Sequence, residues 1–254
     1  IVSDKPQTTR NRILGARTEG TAQLIFVDNP GIHRPGFLLN ERMMAFVYQS
    51  LREVDVIVHL VDVSQPFGKG ELFTLDTLRS VAQPKVLALN KIDLVNKGRL
   101  LPIIERYDAE AVYETVIPIS AKSGENLEAL VKSLVLLLPE GPWQYPCDYL
   151  TDQTERSLAA EIIREKVLRN THKELPYSSA VEVEVFDESR RPEGFLHIAA
   201  SVIVEKPGQK KIVIGRGGQM IKKIGSEARR DLLNGFSALK TDPKRERFGH
   251  IMSI

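Results

Sequence analysis

"KVLALNKIDL", residues 85–94, decides how this chain is read. An apolar run leads into Asn90, Lys91, Ile92 and Asp93, so a buried strand would end on an amide, an ammonium and a carboxylate. Guanine gives that ending a purpose. A carboxylate at the last position accepts hydrogen bonds from the guanine ring N–H and exocyclic amine. The amide reaches the purine's other edge, and the lysine stem lies along the base plane. Adenine would leave the carboxylate unpaired, and a site built to hydrogen-bond a group rejects analogues that lack it. The alternative is an ordinary strand followed by a polar turn, and the rest of the chain has to choose.

Around this stretch, "QLIFVD" (23–28), "VDVIVHLVD" (54–62) and "VIPIS" (116–120) are also short apolar runs that end on a polar residue. Helix-like stretches lie near 37–52, 70–82, 98–112 and 125–138. Such alternation predicts an α/β domain, a parallel sheet covered by helices. Ligands of these sheets bind at the carboxyl ends of the strands, where the polar residues fall. The stretch "PEGPWQYPCDY" (139–149) breaks the pattern with prolines and is read as a linker. The expected division is a first domain over 1–138, a linker over 139–150 and a second domain over 151–254.

In the second part, Asp152 with Glu155 is expected to cap a helix whose apolar face is Leu158, Ala159, Ile162, Ile163 and Val167. "AVEVEVF" (180–186) alternates as a half-exposed strand does, and "LHIAASVIVE" (196–205) reads as its partner. Helical segments are expected at about 209–223 and 226–234, joined around Gly225.

Composition sets the outer bounds. The 254 residues are 42% hydrophobic and 27% charged, ordinary for a globular protein of one large or two medium domains. A single cysteine, Cys147, excludes an internal disulfide framework and a multi-cysteine zinc site, and suits a reducing compartment. No apolar run approaches a membrane span, and "IVSDKPQTTR" does not read as a signal peptide. The net charge of +2 is uneven. Residues 1–150 carry 16 Lys and Arg against 18 Asp and Glu, and residues 151–254 carry 19 against 15. Between Lys206 and Arg247 there are 12 basic and 4 acidic residues, which points to a polyanionic partner or, more blandly, to a solvated face.

The phosphate end of a nucleotide site is sought near Asp28-Asn29-Pro30-Gly31. The carboxylate of Asp28 can hold Mg²⁺ through water, and the Gly31 N–H can meet a terminal phosphate oxygen. Glycine admits that close approach because it has no Cβ. The bland reading is a strand-end Asp with a Pro-Gly turn. Thr8 and Thr9 offer a hydroxyl to complete a Mg²⁺ shell. Ser120-Ala121-Lys122 ends the fourth run, where a backbone N–H can meet the guanine carbonyl. Thr-Thr, D-x-P-G, N-K-x-D and S-A-K occur in that order, and the conjunction is far more specific than any one piece.

In the basic part, Gly215-Arg216-Gly217-Gly218 matches the GXXG loop of KH domains. Glycines let a nucleic-acid backbone approach helix ends, and Arg216, Lys210, Lys211, Lys222 and Lys223 supply cations. Ile212, Ile214 and Ile221 can floor a groove for unstacked bases, although core packing is the better reading for at least one.

With these motifs assembled, the chain resembles the translation-factor-like GTPases and, among them, the bacterial Era family. The resemblance runs from residue 1 to about 235 and is carried by "SDKPQTTRNRILG", "TEG", "VDNPGIH", "NKIDLV", "ISAKSGENLEAL", "EIIREKVL", "ELPYS" and "EKPGQKKIVIGRGGQMIKKIGSEARRDL". It implies a P-loop-type GTPase domain followed by an α+β type II KH domain. It implies GTP/GDP and Mg²⁺ as ligands and a role in small ribosomal subunit assembly, with the KH domain on the single-stranded 3′ end of 16S rRNA. By residue, it implies Thr9 (Thr8 being the weaker candidate) as switch threonine and Asp28 as the Mg²⁺-linked acid, with Gly31 at the terminal phosphate. Asn90, Lys91 and Asp93 then read the base with Ser120, Ala121 and Lys122. Lys210, Lys211, Gly215, Arg216, Gly217, Gly218, Lys222 and Lys223 meet RNA rather than DNA. A monomeric cytoplasmic factor is implied, with room for peripheral association with the inner membrane.

The sequence departs from the family pattern in several places. Asn29 stands where the family usually has Thr. Ile32 follows Gly31 where Ras-like enzymes carry a water-orienting Gln, so slow intrinsic hydrolysis is expected. His33 beside it is read as a surface-loop histidine rather than a base. No G-x-x-x-x-G-K-[ST] string occurs, and "FGKGE" (67–71) has the wrong spacing after the wrong strand. In the family the phosphate loop lies just upstream of "IVSDKPQTTR". The sequence is therefore expected to start inside the domain, with an open sheet edge and no nucleotide turnover by these residues alone. The family's final KH strand has no clear match in "NGFSALKTDPKRERFGHIMSI" (234–254). Two rival readings stay open: an RNA-binding module whose GTPase half does not hydrolyse, and another GTPase of the group with a KH-like, protein-binding tail.

Overall fold

The computed structural model describes residues 13–29, 31–32, 38–172, 175 and 178–240. Thr8, Thr9, His33 and the tail from 241 onward lie outside the described residues. The rest groups into two units that change over between Thr151 and Asp152.

The first unit is organised by β4 (Lys85–Asn90), the middle strand of a parallel sheet ordered β3-β4-β5, with β3 (Ile57–Asp62) and β5 (Thr115–Pro118) beside it. Val86, Leu87, Ala88 and Leu89 are all fully buried, which is why this strand reads as a continuous apolar run. Val86 and Ala88 pack with Leu130, Val131 and Leu134 of α4 (Leu127–Leu137). Leu87 and Leu89 pack on the other face with Leu75 of α2 (Lys69–Arg79) and Tyr107 of α3 (Leu100–Asp108). Met44, Val47 and Leu51 of α1 (Leu38–Glu53) join Ile57 and Leu78 in a third cluster. Each fully buried Leu contributes about 2 kcal/mol.

β3 begins three residues later than the apolar run suggested, because the Val54 N–H bonds the Ser50 carbonyl (3.2 Å) and continues α1. A strand absent from the sequence reading, β1 (Ile13–Glu19), pairs antiparallel with β2 (Ala22–Asp28) through a turn at Gly20-Thr21. Gly20 has φ 57°, a value that only glycine adopts without cost.

The segment read as a linker has no regular helix or strand and is tied to this hairpin. Gln23 Nε2 donates to the Tyr145 carbonyl (2.9 Å), while its Oε1 accepts from the Gln144 and Tyr145 N–H groups, both at 3.0 Å. Trp143 Nε1 donates to the Thr21 carbonyl (3.1 Å), and Thr151 Oγ1 to that of Leu14 (2.6 Å). Between the hairpin, β3 and α4 runs a cleft of about 1080 Å³ lined by Leu24, Phe26, Val56, Val58, Val131 and Leu134, among others. Among the described residues no strand pairs with the outer edges of β2 or β3.

The second unit runs α5 (Glu155–Asn170), β6 (Ser179–Asp187), β7 (His197–Val204), α6 (Pro207–Ile214) and α7 (Gln219–Lys240), with β6 and β7 antiparallel. Asp152 is not the cap of α5: Thr154 Oγ1 accepts from the Ser157 N–H (3.1 Å). Glu155 is committed instead to Arg191, through two contacts of 2.7 Å. The apolar face of α5 also differs from expectation. Ala159, Val167 and Leu168 are buried, Leu158, Ile162 and Ile163 are half-buried, and Arg164 and Lys166 are buried with ion-pair partners. Val167, Leu175, Val213 and Ile224 form the main core cluster.

The break between the last two helices falls at Gly215–Gly218, not at Gly225. Gly215, Gly217 and Gly218 have φ of 72°, 58° and 77°, whereas Gly225 sits inside α7. A helix tolerates one interior glycine at about 1 kcal/mol, but it cannot continue through left-handed residues.

Candidate nucleotide and nucleic-acid sites

At the carboxyl end of β4 each polar side chain of the N-K-x-D stretch is held by a neighbour. Asn90 Oδ1 accepts from the Lys91 N–H (2.8 Å) and from the Ala121 N–H (3.0 Å). Its Nδ2 donates to no other described residue, which leaves a donor suited to a purine ring nitrogen. Asp93 is exposed, and its Oδ1 accepts from Ser120 Oγ (2.7 Å). Ser120 is fully buried and also accepts from the Ser123 N–H (3.2 Å). It orients Asp93 rather than facing a ligand. The Ala121 N–H is committed to Asn90, so the backbone donor left for a carbonyl at this turn is that of Lys122. Lys91 takes the left-handed conformation, φ 66°, and its Nζ lies 2.6 Å from Asp62 Oδ2. These residues do not line the large apolar cleft.

Asp28 ends β2 and is half-buried. A Cβ built on Gly31 would meet nothing within 4 Å among the described residues. Asn29 is buried, with its Oδ1 accepting from Ser50 Oγ of α1 (2.9 Å). The sequence marks Asn29 only as a departure from the family's usual Thr, whereas in the structure it ties the end of β2 to α1. Ile32 packs against the Met44, Val47 and Leu51 cluster. Among the described residues no group of three or more His, Cys, Asp or Glu could hold a metal by itself.

In the second unit, Gly215 combines φ 72° with ψ 175°, a region essentially reserved for glycine. A Cβ there would sit 2.6 Å from the Met220 Cβ. Lys210, Lys211, Arg216, Lys222 and Lys223 are all exposed around the turn, and of these Lys223 pairs with Glu227 at 3.8 Å. Ile212, Ile214 and Ile221 are all exposed. Core packing claims none of them and takes Val213 and Ile224 instead. Gln209 secures the start of α6, accepting from the Lys206 N–H (2.9 Å) and donating to Ser178 Oγ (2.8 Å).

Comparison with known proteins matches residues 1–91 to the 50S ribosome-binding GTPase family and residues 174–237 to the KH domain family. "GTPase Era" of Geotalea daltonii is 48% identical over 232 residues, covering 91% of this chain and 77% of that protein. "GTPase Era" of Geobacter metallireducens is 46% identical over 229 residues, covering 90% and 76%. A crystal structure of Era in complex with MgGDPNP and nucleotides 1506–1542 of 16S ribosomal RNA superposes with a TM-score of 0.86. The identity is 35%, over 93% of this chain and 80% of that one.

Proposed function

This chain belongs to the Era family of GTPases, and from that premise we propose that it is a GTP-hydrolysing ribosome assembly factor that binds the 3′ end of 16S rRNA through its KH unit. The observation that carries the nucleotide half is the prearranged set Asn90, Asp93, Ser120 and Ala121, joined by hydrogen bonds of 2.7–3.0 Å. Asp93 takes the ring N–H and exocyclic amine of guanine. Asn90 Nδ2 donates to the other edge of the purine, and the Lys122 N–H serves the carbonyl. Because these groups are fixed before ligand arrives, little ordering cost is left for binding.

Asp28, through water, and the Thr9 hydroxyl would hold Mg²⁺, with the Gly31 N–H at the terminal phosphate, and the ion would supply positive charge beside the phosphates. Ile32 is half-buried against Met44, Val47 and Leu51 and has neither donor nor acceptor, so it does not orient water. Intrinsic hydrolysis is slow and is raised by a group from elsewhere. Gly215–Gly218 with its cations takes the RNA backbone, and Ile212, Ile214 and Ile221 lie under unstacked bases. The work is done where small subunits are made, in the cytoplasm. No described helix is long and apolar enough to cross a membrane.

Titration of the full-length protein with GDP and ADP tests the nucleotide half. GDP is expected to bind far more tightly, and Asp93→Asn to shift preference toward xanthine nucleotides, whose hydrogen-bond pattern at that edge is inverted. Equal affinity of the unaltered protein for GDP and ADP would refute the assignment.

A further inference from the structure

β4 is flanked on both sides, and the two sides share the task of holding its polar end. On the β5 side, Ser120 fixes Asp93 and the Ala121 N–H fixes Asn90. Lys91 is not held from that side. Its partner comes from β3, where Asp62 stands in register beside Asn90. The two oxygens of Asp62 divide their duties. Oδ1 accepts from the Ser64 N–H (2.9 Å) and Ser64 Oγ (2.6 Å), which fixes the carboxylate on its own turn. Oδ2 accepts from Lys91 Nζ at 2.6 Å.

We propose that Asp62 is a positioning residue for guanine recognition, acting through Lys91. Lys91 has a Cβ in the left-handed region (φ 66°), a conformation that residues other than glycine rarely take unless their surroundings hold it. A lysine carries a long, entropically free side chain, and freezing it at the base would otherwise be charged against binding. Asp62 removes that cost by holding the ammonium before nucleotide arrives. The side chains are 48% and 27% exposed, so the pair adds little to the stability of the fold; its effect appears in nucleotide affinity. Burial pushes the Asp62 carboxyl up, but hydrogen bonds from Lys91 and Ser64 outweigh it and leave the group below its ordinary range. It is therefore charged wherever the protein works.

This proposal rests on the reading of Asn90, Lys91 and Asp93 as the guanine site, and the test separates the two. Asp62→Asn is the informative change, because the amide oxygen still accepts from Ser64 while the amide nitrogen cannot accept from Lys91. GDP affinity is measured by calorimetry on the full-length protein and its Asp62→Asn, Lys91→Met and doubly substituted forms, with thermal midpoints alongside. Asp62→Asn is expected to weaken GDP about three- to tenfold with its thermal midpoint unchanged. In the Lys91→Met background the same change is expected to cost less than about twofold, since its target is gone. GDP binding by Asp62→Asn equal to the unaltered protein, or an equal loss in both backgrounds, overturns the proposal. If Lys91→Met and Asp93→Asn both bind GDP normally, the guanine-site reading itself fails and takes the proposal with it. Should Asp62→Asn fold poorly, Asp62→Glu serves instead: retained charge is expected to retain most of the affinity, and a loss as large as that of Lys91→Met overturns the role.

Discussion

Asn90, Lys91 and Asp93 were legible because their chemistry is local: consecutive polar residues after an apolar run. Their supports were not. Ser120 lies 27 residues from Asp93 and Asp62 lies 29 from Lys91, and only the parallel register brings them together. His59 was equally silent. It sits in the middle of β3, where the pattern calls for an apolar side chain, and it is buried. Its Nδ1 is 2.6 Å from the Tyr113 hydroxyl and its Nε2 is 3.4 Å from Glu71 Oε1, while Glu71 also accepts a hydrogen bond from Tyr107. The 3.4 Å contact would be an ion pair if both groups were charged, but burial opposes charge on both. It pushes His59 down to about 4 and Glu71 up.

The pH dependence of stability follows from these shifts. Unfolded His59 takes a proton as pH falls through its ordinary 6.5, whereas the folded residue stays neutral to about 4. Across that window the unfolded chain binds more protons, so the first unit loses stability as pH falls, by up to about 3 kcal/mol. Glu71 works in the opposite sense. Its folded pKa is raised, so its contribution is present at low pH and is lost as pH rises through the folded value. Denaturant unfolding at pH 7 and pH 5 checks the part due to His59. His59→Gln should flatten the difference, and an identical pH difference in the two proteins contradicts the assignment.

At the scale of elements, β4 was placed to the residue because both its faces are buried and its apolar run is unbroken. β1 was missed because "ILGARTE" mixes small, charged and apolar residues at half-buried and exposed positions, with none buried. The available signal was the Gly20-Thr21 turn before "AQLIFVD", a hairpin cue. The misplaced helix break has the same kind of cause. A sequence shows glycines at 215, 217, 218 and 225 alike, and only backbone angles show which of them leave the helix. These angles make Gly215 the least replaceable. Gly215→Ala meets both a forbidden conformation and the Met220 Cβ at 2.6 Å. It is expected to destabilise the second unit by about 2–3 kcal/mol, against about 1 kcal/mol for Gly217→Ala, where no neighbour lies within 4 Å. Calorimetric unfolding of both variants checks the order, and equal midpoints would show that the Met220 contact relaxes freely.

For the whole molecule, a near-neutral first part precedes a basic second part, and each carries its own proposed site. The proposed nucleotide site draws on residues at the ends of β2 and β4 and in the turn after β5. Around the glycine turn, Lys210, Lys211, Arg216 and Lys222 have no acidic partner among the described residues, and Lys223 pairs with Glu227, which leaves charge available to phosphates. The claim that both activities reside in one chain, on independent sites, is tested most directly with Arg216→Asp and Gly217→Asp combined. The full-length protein is titrated with a single-stranded oligonucleotide of the 16S rRNA 3′ end, and separately with GDP. The unaltered protein is expected to prefer the single strand over a duplex and to weaken as salt rises, because phosphate contacts release counterions. The double substitution sets two carboxylates where phosphate approaches and should abolish RNA binding while leaving GDP affinity unchanged. RNA binding by the variant as tight as that of the unaltered protein would contradict the account and return the basic residues to a solvated face.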